Sequence, residues 1–316
     1  MDSWRIINVV LNGITLFNSI MTGLICIFII IIIIIYHRQN QSIPILLAGH
    51  TCFSMLLSSI VLTSMTISSL CGFIGIELEN SNNRIWCIYR GFFIHGFLCV
   101  VYDSYALQSI FRFCRVVFYR RKLFHSFKLY CFIIPIDIIF ALISISPVLY
   151  FHDVIYLSSE YYCQTPFTNL GAMLYIAARL YGFPLFILFF IYSYLIKYLK
   201  NLNLSLVTFD ARRRALNNTR DFIMIKRLLI QLILLILLGL PSVILLFIFI
   251  ITSHLPSITY RIGWLCVSFS SFFLIFMLIK YTSPLRDTIK QLIKKMSCQK
   301  HRIVPQQTTQ IPMRTN

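Results

Sequence analysis

Acidic residues are scarce in this chain. Of its 316 residues only 10 are Asp or Glu, against 28 Lys or Arg, and charged residues together make up 12%. A soluble domain carries roughly 25%, so most of the surface of this protein cannot face water. Also missing are the signatures of a catalytic or metal centre. The histidines are scattered without metal-ligand spacing, the cysteines form no Cys-x-x-Cys, and no Gly-rich phosphate loop occurs. Neither an enzyme, a metal nor a cofactor is therefore expected.

Long apolar runs take the place of charge. No charged residue lies between Arg5 and Arg38, a stretch that contains the isoleucine run Ile29–Ile35. It is too long for the ~7–15-residue core of a cleaved signal peptide and has no evident cleavage site, so it reads as a first membrane-spanning helix, 9–36. Further spans are expected at 43–71, 87–117, 128–151, 169–199, 221–253 and 257–281. Each reaches the ~20 apolar residues that a bilayer demands. Only helices or closed barrels can satisfy the backbone there, and these runs are too long and unalternating for barrel strands. The fold class expected is an all-α membrane protein, a seven-transmembrane helix bundle. It comprises a short N-terminal segment (1–8), the bundle (9–283), a juxtamembrane segment (284–298) and a disordered cytoplasmic tail (299–316).

The positive charge is distributed unevenly. Arg38, the cluster from Arg112 to Lys128, the stretch from Lys197 to Arg227 and the region after Lys280 fall on one side. Only Arg5, Arg84, Arg90, Arg179 and Arg261 lie on the other side or in the helices leading to it. Basic loops stay in the cytoplasm, so the N-terminus is expected outside a plasma membrane and the C-terminus inside. This distribution makes the basic charge a topology signal first and a surface for anionic membrane lipid or an acidic partner second, and argues against a nucleic-acid partner. After the last span, Ile289, Leu292, Ile293 and Met296 recur at helical spacing among lysines, which predicts a short amphipathic eighth helix on the inner membrane surface. Cys298 follows it, either palmitoylated or a plain cytosolic thiol. Two other cysteines fall on the oxidising side: Cys87 opens the third helix and Cys163 lies between the fourth and fifth. A bond between them would tie that loop to the bundle, with Cys71 as the main competitor.

With these features the chain resembles a rhodopsin-like G-protein-coupled receptor over nearly its whole length. Arg112, in Ser109-Ile-Phe-Arg-Phe113, stands where that family places the arginine of its Asp-Arg-Tyr motif. Pro184 and Tyr192 match its fifth-helix pair, Pro241 its sixth-helix kink, and Asp221 the acidic partner of the arginine. The departures are equally specific. Phe111 and Phe113 replace the Asp and Tyr that flank the arginine, and Gly239 stands where the family has a tryptophan. The fourth helix has no Trp, and the second has no carboxylate for a sodium site. Ser283-Pro284-Leu-Arg-Asp287 keeps only the proline of Asn-Pro-x-x-Tyr. Together with Gly49-His-Thr-Cys52, these departures resemble a divergent branch among the large invertebrate expansions of orphan receptors.

The resemblance implies a switch built from Arg112, Asp221, Tyr192, Pro241 and Pro284, a heterotrimeric G protein as partner, and an extracellular ligand. The pocket it implies is lined by Ile94, His95, Leu98, Tyr175 and Tyr260. Ile94 occupies the position of the acidic anchor of amine receptors, so a peptide or small chemosensory molecule is favoured over an amine. The rival expectations are a transporter or channel, and a receptor-derived protein that no longer signals. Independently of any family, Asp103, Asp137 and Arg179 fall deep within spans, Asp103 about 24 Å along the helix from Cys87. A mid-membrane charge costs at least ~2.5 kcal/mol. The expected arrangement has Arg179 bridging Asp103, with or without Asp137, as a structural cluster; the alternative is that Arg179 binds an anionic ligand.

Overall fold

The computed structural model describes residues 3–37, 42–76, 84–118, 121–204, 233, 239–241, 243–252, 258–282 and 285–291. It is helical almost throughout. α1 (Ser3–His37), α2 (Ile43–Ile74) and α3 (Arg84–Val117) are followed by a 3-10 turn (Lys122–His125) and α4 (Phe127–Tyr150). A β-hairpin of β1 (Ile155–Leu157) and β2 (Tyr162–Gln164) leads into α5 (Leu170–Ala177). α5 continues through a π-helical turn (Ala178–Gly182) into α6 (Phe183–Leu204). A short apolar helix, α7 (Gly239–Thr252), and then α8 (Thr259–Tyr281) complete the bundle, and residues 285–291 are again helical.

Six helical stretches among the described residues are long and apolar enough to cross a membrane, α5 and α6 forming one of them. The result is an all-α, multi-pass membrane bundle. The expected span 221–253 is described only in its second part, as α7. The expected amphipathic helix 284–298 is described only over residues 285–291, and the tail lies outside the described residues.

Burial is arranged for a lipid exterior. On α1, Asn8, Asn12, Thr15, Ser19 and Thr22 follow one another at helical spacing and are all buried. On the opposite face Phe17 and Leu24 are 62% and 56% exposed. In water this pattern would be inverted. In hydrocarbon it is required, because polar groups need partners and aliphatic ones do not. The polar stripe finds some of them on α2: Asn12 Nδ2 donates to Ser69 Oγ at 3.2 Å, and Ser19 and Thr63 share a bond of 2.9 Å. Between α2 and α3 the same role falls to Gln108, which donates to Thr51 Oγ1 (2.8 Å), which in turn donates to Ser104 (2.9 Å).

α3 is the axis of the bundle, touching α2, α4, α6 and both strands. The strands pair antiparallel with Tyr156 opposite Cys163, and they lie across one end of the bundle. Cys163 is bonded to Cys87 at the start of α3, with the Cα atoms 5.4 Å apart. Cys71 is free. Gly91, one turn further on, lies hard against β2. A Cβ there would lie 2.6 Å from the Cys163 carbonyl oxygen and 2.7 Å from Val154 Cγ1. Backbone cannot yield as a side-chain end can, so Gly91→Ala should force the hairpin off α3. The expected cost is ~1–3 kcal/mol, read as a lower thermal midpoint of the purified protein. A Gly96→Ala change, which meets only the tip of Leu142, should be milder.

Candidate functional site

Beneath the hairpin, α3, α5, α7 and α8 surround a partly open cavity, whose empty space with its mouth included is about 680 Å³. His95 and Leu98 enter it from α3, and Gln164 and Phe167 from the hairpin side. Met173, Ile176, Leu180 and Tyr181 line it from α5 and the π turn, Val243 and Leu246 from α7, and Tyr260, Trp264 and Val267 from α8.

The roof is held at several points. Trp264 Nε1 donates to Gln164 Oε1 at 2.8 Å, and the Phe167 amide donates to the Tyr260 hydroxyl at 2.9 Å. Arg261 on α8 donates through Nε to Glu160 Oε2 at 2.9 Å and stacks over Phe73 at 4.4 Å. At the hairpin tip Tyr161 takes a left-handed backbone (φ 60°), and its ring fills the space above Gly72. Burial pushes the Glu160 carboxyl up to about 7, more strongly than the adjacent Arg261 pulls it down.

His95 is the unusual member of the lining. It is 6% exposed, and neither ring nitrogen has a hydrogen-bond partner. Its ring lies 6.0 Å from that of Trp264. A buried polar atom without a partner costs ~1–3 kcal/mol, so two on one side chain call for a reason.

Below the cavity lies a network of charge. Arg179, in the π turn, donates from Nη1 and Nη2 to the two oxygens of Asp103 at 3.1 and 2.5 Å, and from Nε to Ser144 Oγ at 2.7 Å. Its guanidinium sits between the rings of Phe183 (4.9 Å) and Phe140 (5.2 Å). Pro184, which has no N–H to offer the preceding turn, lies two residues after this wide turn. Asp137 makes no hydrogen bond to Arg179 and reaches it and Asp103 only through its charge. Its bonded partner is His50 Nε2 on α2 at 2.9 Å, which adds a fourth member to the expected cluster. His50 is 87 positions away, and the second helix, which lacks a carboxylate, gave no reason to suspect it.

The remaining expected pocket residues separate. His95, Leu98 and Tyr260 line the cavity. Ile94 faces away, into a smaller cavity of hydroxyls with Ser19, Thr22, Ser58 and Ser271. Tyr175 is 41% exposed and donates to the Ser144 carbonyl from outside the cavity. Helical rotation explains both departures, since neighbouring positions differ by about 100°. Residues not foreseen are Gln164 and Trp264, and the Glu160–Arg261 pair over them.

At the far end of α3, Arg112 is half-buried and within electrostatic reach of Tyr192, itself buried. Phe111 meets Tyr130 edge-on at 5.2 Å, joining α3 to α4, and Phe113 meets Tyr194 at 5.5 Å. Pro241 lies within α7, two residues after Gly239. A Cβ on Gly239 would come 2.6 Å from Tyr181 Cε1, so the Tyr181 ring fills the space a larger residue would need. Asp221, Pro284 and Cys298 lie outside the described residues.

Two outcomes follow. Arg179→Ala strands the Asp103 carboxylate and should cost roughly 3–5 kcal/mol, read as loss of folded protein after extraction. Adding Asp103→Asn to it should recover much of that yield. The folded Glu160 carboxyl titrates near 7 rather than near 4.5, so its protonation favours the fold. That contribution is complete below about 4.5 and is lost as pH rises through about 7. The thermal midpoint should therefore fall between pH 5 and pH 8 by more in the wild type than in Glu160→Gln. No protein-family model matches the chain, and no curated protein is significantly similar to it.

Proposed function

We propose that this protein is a seven-helix cell-surface receptor of the rhodopsin-like kind, which turns binding of an extracellular ligand into activation of a heterotrimeric G protein. The observation that carries the reading is the cavity under the disulfide-anchored hairpin, at the opposite end of α3 from Arg112. The two ends are roughly 37 Å apart along the helix. The basic residues support the same orientation, since Arg112, Arg115, Lys122, Lys128 and Lys197 gather at or beyond the end away from the hairpin. The apolar stretch that ends in α7 supplies the further span.

In this reading ligand in the cavity favours one of two packings of α7 against α5, α6 and α3. Gly239 against Tyr181 is a contact suited to such a change. A bulky residue would wedge the helices, whereas glycine lets them slide on the ring. Arg112 clips the cytoplasmic ends together through Asp221 in the resting state, and its release exposes the site for the G protein. Near the interface such a pair adds about 0–1 kcal/mol of stability, which suits a contact that must open.

Basal guanine-nucleotide exchange, compared at matched surface levels, tests this. Asp221→Ala should raise it several-fold and Arg112→Ala should lower it. If wild type and both variants were silent with every class of G protein, while proteoliposomes took up solute directionally, the receptor reading would fall to transport.

A further inference from the structure

We propose that the cavity takes a small, uncharged, largely apolar molecule bearing one hydroxyl or carbonyl group, and that His95 holds its polar end. The inference deepens the receptor reading by naming the chemistry of the ligand, and it rests on the cavity being the ligand site.

The walls decide the body of the molecule. Leu98, Met173, Ile176, Leu180, Leu246 and Val267 present hydrocarbon, which rewards apolar surface and offers nothing to a polyol or a polar peptide. Among the described residues, no Asp, Glu, Lys or Arg lines the cavity. An ammonium or carboxylate would enter without a counter-charge and lose its hydration uncompensated. The nearest cation on α8, Arg261, is committed to Glu160 and Phe73.

The polar end is decided by His95. Its two nitrogens are buried beside the cavity without a hydrogen-bond partner, so the ring holds capacity that a polar group brought against it could use. A neutral imidazole offers one donor and one acceptor. A hydroxyl answers either nitrogen, and a carbonyl answers the N–H. The other polar groups are largely engaged. The Trp264 N–H can only donate, so it fixes the Gln164 carbonyl oxygen toward itself, and the Tyr260 oxygen accepts from Phe167. A water on His95 would find few further partners among apolar walls, and a buried water typically needs two to four.

Four isoprenoids with the same chain test this: farnesol, the hydrocarbon farnesene, farnesoate and farnesylamine. Each is titrated against the full-length protein in lipid nanodiscs, with its thermal midpoint as the readout. Farnesol should stabilise saturably, with farnesene about ten-fold weaker and both charged members without saturable effect. His95→Phe should bring farnesol down to the level of farnesene while farnesene is unchanged. His95→Gln, which keeps a donor and an acceptor, should restore a preference for the alcohol.

Tighter binding of farnesylamine or farnesoate would overturn the proposal. So would an undiminished farnesol preference in His95→Phe, or no saturable effect from any of the four. If His95→Phe does not fold, the order of the four on the wild type and on His95→Gln decides the matter. The readout is binding and needs no G protein. Failure here beside intact nucleotide exchange would therefore reject the ligand chemistry alone, and success beside silent exchange would reject the signalling reading alone.

Discussion

The grip of Arg179 on Asp103 is the contact on which most of the bundle depends. A lone carboxylate in the middle of a hydrocarbon layer is expensive enough to undo the helix that carries it. The guanidinium answers it with two parallel hydrogen bonds, a geometry lysine cannot reproduce. To reach Asp103 the arginine projects from a widened turn, Ala178–Gly182, and two phenylalanine rings cover its faces. The same turn carries Tyr181, which meets Tyr102 edge-on at 5.2 Å and fills the space above Gly239. One ion pair thus sets the junction of α5 and α6 against α3, and with it the floor of the cavity.

The roof follows a different physical rule. The hairpin packs Val154 and Tyr162 into the core, and specific bonds fix its position. The disulfide secures one strand to α3, and Gly91 lets that strand come close. Trp264 and Arg261, three positions apart and so on one face of α8, reach Gln164 and Glu160 on either side of Cys163. Floor and roof together leave a space whose walls are apolar and whose histidine lacks a partner. An unsatisfied buried imidazole is a defect in a closed core and a sensible feature in a site that is filled from outside.

Much of the architecture was legible in the residues. The apolar runs announced long membrane-spanning helices, and the six now described begin and end close to the expected limits. Asp103 and Arg179 could be picked out as a pair because two opposite charges deep in neighbouring spans have few alternatives. For Asp137 the same reasoning missed the hydrogen-bond partner, a histidine, which carries no obligatory charge and stands alone in α2. For Ile94 and Tyr175 the correct helices were identified, but a rotation of about one residue turned each away from the cavity.

The division has a physical cause. Hydrocarbon forces every backbone group to bond within its own helix, so length, apolarity and the uneven spread of lysine and arginine were enough to determine that the chain forms a helical membrane bundle. Which side chains meet depends on the depth and rotation of each helix relative to its neighbours, quantities that packing sets for the bundle as a whole. Only the tertiary structure could decide that His50 answers Asp137, that Tyr181 covers Gly239, and that His95 lines the cavity with both nitrogens buried and unbonded.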